Sequence, residues 1–200
     1  SKLRRFRAVV LGASAGGIDA LVEILPFLPK AYPLPIIIVL HIPGDQTSLL
    51  SELFGTKTSL RVKDADEKEA IAAGTIYFAP PGYHLYVESL GYFGLSLDAP
   101  VNWSRPSIDV LFESAAKAHQ RNVIGVLLTG SNCDGAQGIR EIKRLGGITI
   151  VQNPKTAVAD TMPRLAIATG CVDHVLELKD IPSFLAKLVN KDHSSPIGAV

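Results

Sequence analysis

Short apolar runs that lack polar alternation constrain the fold of this 200-residue chain more than any other feature. The run from Ile36 to Leu40 is the most hydrophobic of them. A strand buried on both faces has no solvent-facing side for polar residues, so such runs are typical of a parallel sheet covered by helices. The predicted strands are Ala8 to Leu11, Ile36 to Leu40, Thr75 to Ala79, Val123 to Thr129, Ile148 to Gln152 and Val172 to Leu176.

Helix-like segments lie between these runs, and the one at Ser107 begins after a proline, a frequent start signal. The predicted helices are Ile18 to Leu28, Thr47 to Phe54, Ser107 to Gln120, Gly135 to Leu145 and Asp180 to Val189. The alternation predicts a doubly wound α/β fold, with a mostly parallel sheet and helices on both faces. The runs His84 to Glu88 and Tyr92 to Leu97 depart from the alternation and predict an antiparallel hairpin near one edge of the sheet.

The composition is that of a folded globular chain. With 47% hydrophobic and 20% charged residues, it has enough apolar side chains for a core and too little charge for disorder. Lys and Arg number 20 against 19 Asp and Glu, and the net charge of +1 disfavours nucleic-acid binding by bulk charge. We expect one domain over residues 1–190 and a frayed tail over 191–200.

Cysteine usage and hydropathy bear on where the chain resides. Cys133 and Cys171 are the only cysteines, too few for a disulfide-stapled scaffold, which favours a reducing compartment. No apolar run approaches the roughly 18–20 residues needed to cross a bilayer. The apolar segment after the basic start stops at Gly12 without a signal-peptide cleavage site. We therefore expect a cytoplasmic chain that is not embedded in a membrane.

Reactive side chains follow three of the predicted strands. Ser14 lies in the loop after the first strand, His41 follows the second, and Asp134 lies in the loop after a later one. In doubly wound sheets, ligands bind beyond the carboxyl ends of the strands. A hydroxyl, an imidazole and a carboxylate are therefore expected to converge in one crevice.

The first loop, Gly12-Ala13-Ser14-Ala15-Gly16-Gly17, fits the Gly-x-Ser-x-Gly pattern of a nucleophile elbow between a strand and a helix. Small flanking residues permit a sharp turn, and the N–H of Ala15, with Gly16 beside it, is a candidate oxyanion donor. Glycines that open a helix are also typical of a phosphate cradle. Ser14 breaks the dinucleotide spacing and no P-loop lysine follows, but the loop alone leaves both interpretations open.

His41 favours the nucleophile interpretation, because a base at the end of a neighbouring strand can reach Ser14. Asp134 could then accept a hydrogen bond from His41 and fix its tautomer. Both residues also have a purely structural interpretation: His41 as a histidine of the core, and Asp134 as an acid that caps the following helix. Weaker candidates are His84 and His174 as bases, Asp109 and Asp160 as acids, and Cys133 as a nucleophile.

Six motifs occur in one order along the chain. They are Gly12 to Gly17, His41-Ile42-Pro43, Ala79-Pro80-Pro81-Gly82-Tyr83-His84-Leu85, Arg105-Pro106-Ser107-Ile108-Asp109, Thr129 to Gly138, and Met162-Pro163-Arg164. Over about residues 7–190 the chain thereby resembles the catalytic domain of the CheB-type chemotaxis methylesterases. The resemblance implies the same doubly wound α/β fold.

The resemblance also implies a serine hydrolase that cleaves glutamate methyl esters on chemoreceptors and, as a second activity, deamidates glutamine. The matching catalytic positions are Ser14, His41 and Asp134. A methyl-accepting chemoreceptor is the implied partner, with no cofactor and no metal. The family's phosphorylation-controlled receiver domain is absent from these 200 residues. We therefore expect an excised domain, a stand-alone enzyme or a module of a larger signalling protein, such as a fusion with a receptor methyltransferase.

Several positions depart from the family pattern. Met-Gly is usual where Ser131 and Asn132 stand, Gln is common at Leu40 and His is common at Ser104. Because Asn tolerates the left-handed backbone that Gly would adopt, we expect Ser131 and Asn132 to support the oxyanion loop. The departures leave an alternative function, a catalytically weakened module that serves as a binding or regulatory domain.

A glutamate on a receptor helix requires an open cleft, because its substrate is a protein surface. We expect Trp103, Arg105 and Met162 to line this cleft. The sequence shows neither metal-ligand spacing nor an acidic pair for glycoside chemistry, which favours an ester or primary amide as the bond that is cleaved.

Overall fold

The computed structural model describes residues 5–42 and 49–190, which form two sheets and six α-helices. The strands are β1 (Ala8–Ala13), β2 (Ile36–Leu40), β3 (Arg61–Asp64), β4 (Thr75–Phe78), β5 (His84–Val87), β6 (Phe93–Ser96), β7 (Val123–Leu127), β8 (Ile148–Gln152) and β9 (His174–Leu176). The helices are α1 (Gly17–Ile24), α2 (Leu50–Gly55), α3 (Ile108–His119), α4 (Ala136–Arg144), α5 (Thr161–Ala168) and α6 (Ile181–Asn190).

Seven strands form a parallel sheet in the order β3-β4-β2-β1-β7-β8-β9. Strand β1 pairs with β2 on one side and with β7 on the other, so the chain winds outward from β1 in both directions. The carboxyl ends of β1, β2 and β7 therefore meet at a topological switch point, where a doubly wound sheet opens a crevice. The predicted α/β fold is confirmed.

Alternate side chains of β1 divide the core into two layers. Val9 and Leu11 pack into the layer of helices α1, α2 and α6. Ala8 and Val10 pack into the layer of helices α3, α4 and α5. Burial on both faces of the sheet is the physical reason why these strands read as continuous apolar runs.

The antiparallel hairpin is also confirmed, but it does not extend the main sheet. Strands β5 and β6 form a separate two-stranded sheet. The hairpin packs on α3, where the Val87 N–H donates to Ser114 Oγ at 3.1 Å. The segment that follows the edge strand β3 contacts the hairpin through a bridge between Ala70 and Tyr92 and through backbone hydrogen bonds. The Lys68 N–H donates to the Phe93 carbonyl and the Phe93 N–H donates to the Glu69 carbonyl, each at 2.9 Å.

Two elements were not among the predicted ones. Strand β3 reads Arg-Val-Lys-Asp and lies at the edge of the sheet with Arg61 exposed and its other residues half-buried, so it lacks the apolar run that marks the other strands. Helix α5 is only eight residues long and has Pro163 in its first turn, where proline is tolerated. The start of the second predicted helix, Pro43 of the histidine motif and the expected tail over 191–200 lie outside the described residues. Among the residues described, no helix has the length and hydrophobicity needed to span a bilayer.

Candidate active site

Ser14 lies on a tight turn between β1 and α1. The Gly17 N–H donates to the Ser14 carbonyl at 2.7 Å, and Gly16 has a left-handed φ of 77° that favours glycine. A Cβ at Gly12 would lie 2.4 Å from Cγ2 of Ile108, so the absence of a side chain there lets α3 approach the turn. The Gly-x-Ser-x-Gly pattern therefore has a steric cause at both glycines.

Thr129, just beyond the end of β7, supports this turn from below. Its carbonyl accepts from the Ser14 N–H at 2.9 Å, and its hydroxyl donates to the Ala15 carbonyl at 2.7 Å. The backbone N–H groups of Ala15 and Gly16 have no hydrogen-bond partner within residues 5–42 and 49–190. Two amide donors are thus available beside the Ser14 hydroxyl.

His41 directly follows β2 and lies next to Ser14 in the sheet register, because Ala13 pairs with Leu40. Its side chain is only 12% exposed, and its Nε2 lies 3.0 Å from Oδ2 of Asp134. Nε2 nevertheless has no aligned hydrogen-bond partner among the described residues, so this contact with Asp134 is a close approach rather than a well-formed hydrogen bond. On the other edge of the ring, Nδ1 lies 3.1 Å from Nδ2 of Asn132.

Asp134 is fully buried, and its carboxylate binds the N-terminus of α3. It accepts from the backbone N–H groups of Ile108 at 2.6 Å and Asp109 at 3.0 Å, and from the Ser107 hydroxyl at 2.9 Å. Burial raises the pKa of Asp134, but His41, these amides and the Asn102 side chain outweigh it and hold the pKa below its ordinary value. Asp134 is therefore an ionised carboxylate beside the imidazole.

Asp109 forms a second buried carboxylate next to Asp134. It accepts from the N–H groups of Gly135 at 2.9 Å and Gly138 at 2.7 Å. Burial raises the pKa of Asp109 to about 6, and the nearby charge of Asp134 adds to this, while the amide contacts lower it. The two acids therefore differ, and Asp134 is the one that contacts the histidine.

The sequence did not point to Asn102, whose amide joins the two acids. Its Nδ2 lies 2.7 Å from Asp109 Oδ2 and 3.1 Å from Asp134 Oδ1. Ser107 and Asp109 belong to the motif that runs from Arg105 to Asp109, and the predicted helix start at Ser107 was a usable signal for both. Asn102 carried no comparable signal, because it lies in a loop and its contacts with Asp109 and Asp134, 7 and 32 residues away, follow no periodic pattern.

The cleft next to His41 has a volume of about 380 Å³, and both Trp103 and Arg105 line it. The Trp103 side chain is 99% exposed at its rim. Arg105 is tied back through Nη1, which donates to the carbonyls of Leu97 at 2.9 Å and Asp98 at 3.2 Å. Hydrophobic residues of β2, α2 and β4 complete the wall, namely Leu40, Leu50 and Phe78.

Met162 does not reach this cleft. Its side chain is fully buried in the core beneath the loop after β7. A Cβ at Gly130 would collide with the Met162 sulfur, and the Met162 N–H donates to the Gly130 carbonyl at 2.9 Å. Met162 therefore supports the loop from within, where the sequence interpretation placed it at the substrate surface.

Asn132 is used differently from the sequence expectation. The described non-glycine residues with positive φ are Lys68, Asn102, Trp103 and Gln120, and Asn132 is not one of them. Its side chain contacts His41 instead, while the neighbouring Ser131 is exposed. Asn132 therefore contributes its side-chain amide to the site, and its backbone does not adopt the left-handed conformation.

The weaker candidates have other roles in the fold. His84 is fully buried between the Ser107 N–H and the Ala99 carbonyl, and His174 packs on the ring of Phe184. Asp160 pairs with Arg164 one turn away. Cys133 is an exposed free thiol. The described residues contain no group of three or more His, Cys, Asp or Glu arranged to hold a metal ion.

Comparison with known proteins fits this geometry. The family model described as CheB methylesterase matches residues 9–185. The chain belongs to the CheB methylesterase family. A solved structure of the Thermotoga maritima CheB methylesterase catalytic domain superposes with a TM-score of 0.89 at 35% identity, covering 92% of this chain and 99% of that one.

Two sequence relatives differ in how much of their length is matched. One from Leptospira interrogans is 45% identical over 183 residues, which cover 92% of this CheB-family chain and 95% of the relative. The protein-glutamate methylesterase/protein-glutamine glutaminase of Hydrogenovibrio crunogenus is 39% identical over 188 residues, which cover 92% of this chain and 50% of that protein. The chain thus spans nearly all of the first relative and half of the second.

Proposed function

We propose that this chain hydrolyses glutamate methyl esters on methyl-accepting chemoreceptors, and deamidates glutamine at the same site, through Ser14, His41 and Asp134. The observation that carries the proposal is the position of the His41 imidazole, 3.0 Å from the buried Asp134 carboxylate and next in register to the Ser14 turn. Membership of the CheB methylesterase family and the name of the Hydrogenovibrio crunogenus relative support the same chemistry.

In the first half of the reaction, Ser14 Oγ attacks the ester carbonyl carbon. Nδ1 of His41 takes the hydroxyl proton, because Nε2 faces Asp134. The carbonyl oxygen becomes an oxyanion, for which the donors at hand are the N–H groups of Ala15 and Gly16, both without a partner among the described residues, with Ser131 and Asn132 on the flanking loop. The tetrahedral intermediate collapses, the C–O bond to methoxide breaks, and His41 returns the proton so that methanol leaves.

In the second half, water attacks the acyl-serine and His41 accepts its proton. The bond to Ser14 Oγ breaks, the proton on His41 passes to Oγ, and the product is the glutamic acid side chain, which releases its own proton to solvent and leaves as the carboxylate with the serine restored. With a glutamine substrate the first leaving group is ammonia. Asp134 stays ionised throughout, holds the ring and stabilises the imidazolium formed in each half.

The cleft determines the kind of substrate in this proposal. It is open, lies beside His41 and is rimmed by Trp103, so it can admit a side chain that projects from a protein surface. Residues 1–190 are the catalytic unit in this view, acting in the cytoplasm on receptor helices during chemotaxis. Control by a receiver domain, or coupling to a methyltransferase in the same or another chain, belongs to the same proposal.

Labelling with a fluorophosphonate tests the nucleophile directly. We expect one equivalent to attach at Ser14, located by mass spectrometry of the labelled peptide. Ser14→Ala should lose labelling and lower methanol release from a methylated receptor by on the order of 10³-fold or more. Ser89→Ala, at an exposed turn of the hairpin, serves as the matched control with unchanged rates. A folded protein that is not labelled at Ser14 would favour the alternative, a binding or regulatory module.

A further inference from the structure

The contacts of the Asn132 side-chain amide distinguish its oxygen end from its nitrogen end. Its Oδ1 accepts from the backbone N–H of Asp134 at 3.0 Å, a contact that only the oxygen end of the amide can make. Its nitrogen end, Nδ2, must therefore face His41 Nδ1 at 3.1 Å. Because an amide nitrogen only donates, Nδ1 is the acceptor in this contact.

The orientation of Asn132 also assigns the histidine tautomer. A neutral imidazole has one N–H and one acceptor nitrogen, so an accepting Nδ1 places the proton on Nε2. Nε2 faces Oδ2 of Asp134, an ionised carboxylate that only accepts. Asp134, Asn132 and His41 thereby close a ring of contacts, in which the Nε2 N–H faces the Asp134 carboxylate without an aligned hydrogen bond.

The same contact occupies the lone pair that catalysis needs. Among the described residues, the Ser14 hydroxyl makes no hydrogen bond, and the only acceptor of the neutral His41 ring is engaged by Asn132. The N–H at Nε2 is buried and poorly aligned with Asp134, which is costly for a buried donor. In the resting orientation of the His41 ring, the hydrogen bond with Asn132 is formed and the hydrogen bond with Asp134 is not aligned.

We propose that Asn132 is a positioning residue that sets the His41 tautomer and competes with the Ser14 hydroxyl for Nδ1. This inference rests on the proposed function. Asn132 is half-buried on a loop flanked by exposed Ser131 and Cys133, so its side chain can withdraw when substrate enters. Its withdrawal frees Nδ1 for the Ser14 proton and lets the ring turn toward Asp134.

Two substitutions at Asn132 should change the rate in opposite directions. Asn132→Ala removes the competing donor, and we expect fluorophosphonate labelling of Ser14 to become about 2- to 12-fold faster, the range for one net hydrogen bond. Asn132→Asp keeps the acceptor for the Asp134 N–H but places a carboxylate against Nδ1, which favours a proton there. We expect its labelling to be slower than that of the wild type. Asn190→Ala, at the exposed end of α6, is the matched control.

Nitrogen-15 NMR of the histidine side chains gives a readout that does not depend on activity. We expect His41 in the wild type to carry its proton on Nε2, with Nδ1 as a hydrogen-bonded acceptor. Asn132→Ala should move the Nδ1 resonance toward that of a free acceptor, and Asn132→Asp should give Nδ1 a proton.

The outcomes separate this proposal from the proposed function. A wild-type proton on Nδ1, or equal slowing of labelling by both Asn132 variants, would overturn the role of Asn132 while labelled Ser14 upheld the esterase. Absence of labelling at Ser14 in the wild type would instead overturn the esterase. The NMR spectra would still decide the contact between Asn132 and His41.

Discussion

Asp109 and Asp134 each bind the N-terminus of the helix next to the other. Asp134 precedes α4 but accepts the amides that open α3, whereas Asp109 lies in α3 but accepts the amides of Gly135 and Gly138 at the start of α4. Helix N-termini stabilise negative charge, so this exchange lets two carboxylates be buried side by side. It also fixes the acid that faces His41 to two helices at once.

Asn102 should be essential to this pair, because its single NH₂ group serves both acids. Asn102→Gly removes the amide and suits the positive φ of 49° at this position. We expect it to lower the free energy of unfolding by about 1–3 kcal/mol, the cost of an unsatisfied buried group. Asn102→Ala should cost about 1–2 kcal/mol more, since alanine is strained there. Urea denaturation measures the free energy of unfolding of both variants. Equal stability of the two would show that the left-handed backbone at position 102 does not strain alanine.

Asp109 should make stability depend on pH in an unusual direction. Its pKa is raised to about 6 in the folded protein against an ordinary 3.8, so between these values the folded state holds more protons than the unfolded state. The contribution to stability is therefore present at low pH and is lost as the pH rises from about 4 to about 6. The shift corresponds to at most about 3 kcal/mol.

Asp109→Asn isolates this effect from the other acids. We expect the difference in free energy of unfolding, wild type minus variant, to fall between pH 4 and pH 6 and to be level above that range. Denaturant titrations at half-unit pH steps measure the difference. A difference that stays constant would show that Asp109 titrates at its ordinary pKa, and one that rises with pH would show that its pKa is lowered.

The packing of Gly12 against Ile108 should couple the Ser14 turn to the acid. Gly12→Ala would place a Cβ 2.4 Å from Ile108, whose N–H holds Asp134. We expect a loss of about 1–3 kcal/mol in unfolding free energy from overpacking, together with slower labelling of Ser14.

Ile108→Ala alone should cost about 2–5 kcal/mol through its cavity. In the double variant the added methyl enters that cavity. Its loss of unfolding free energy should therefore be smaller than the sum of the losses of the two single variants. Strict additivity would argue against the contact.

Features that depend on local pattern could be predicted from the sequence. The buried strands of the sheet leave continuous apolar runs, and Ser14 and His41 come directly after β1 and β2 in the sequence. Because parallel strands end at one edge, the nearness of His41 to Asp134 also followed from their order along the chain.

Features that depend on distant contacts could not be predicted in this way. The role of Asn102 depends on a loop placed between two helix ends, and the burial of Met162 depends on its fit beneath Gly130. Asn132 was expected to serve through its backbone, and only the position of its amide between Asp134 and His41 shows a contact with the base. Such contacts join residues whose separation in sequence carries no periodic signal.

Trp103 should contribute to recognition of a protein substrate without stabilising the fold. Its side chain is 99% exposed at the rim of the cleft that contains His41, so Trp103→Ala should change the free energy of unfolding by less than about 0.5 kcal/mol. Exposed tryptophans often dominate protein interfaces, and we expect KM for a methylated receptor to rise about tenfold or more with little change in kcat.

A small methyl ester does not extend to the rim, so its hydrolysis should be unaffected by Trp103→Ala and serves as the internal control. Trp103→Phe should retain part of the effect on KM. Equal losses on the receptor and the small ester would instead show that Trp103 acts on the catalytic residues themselves.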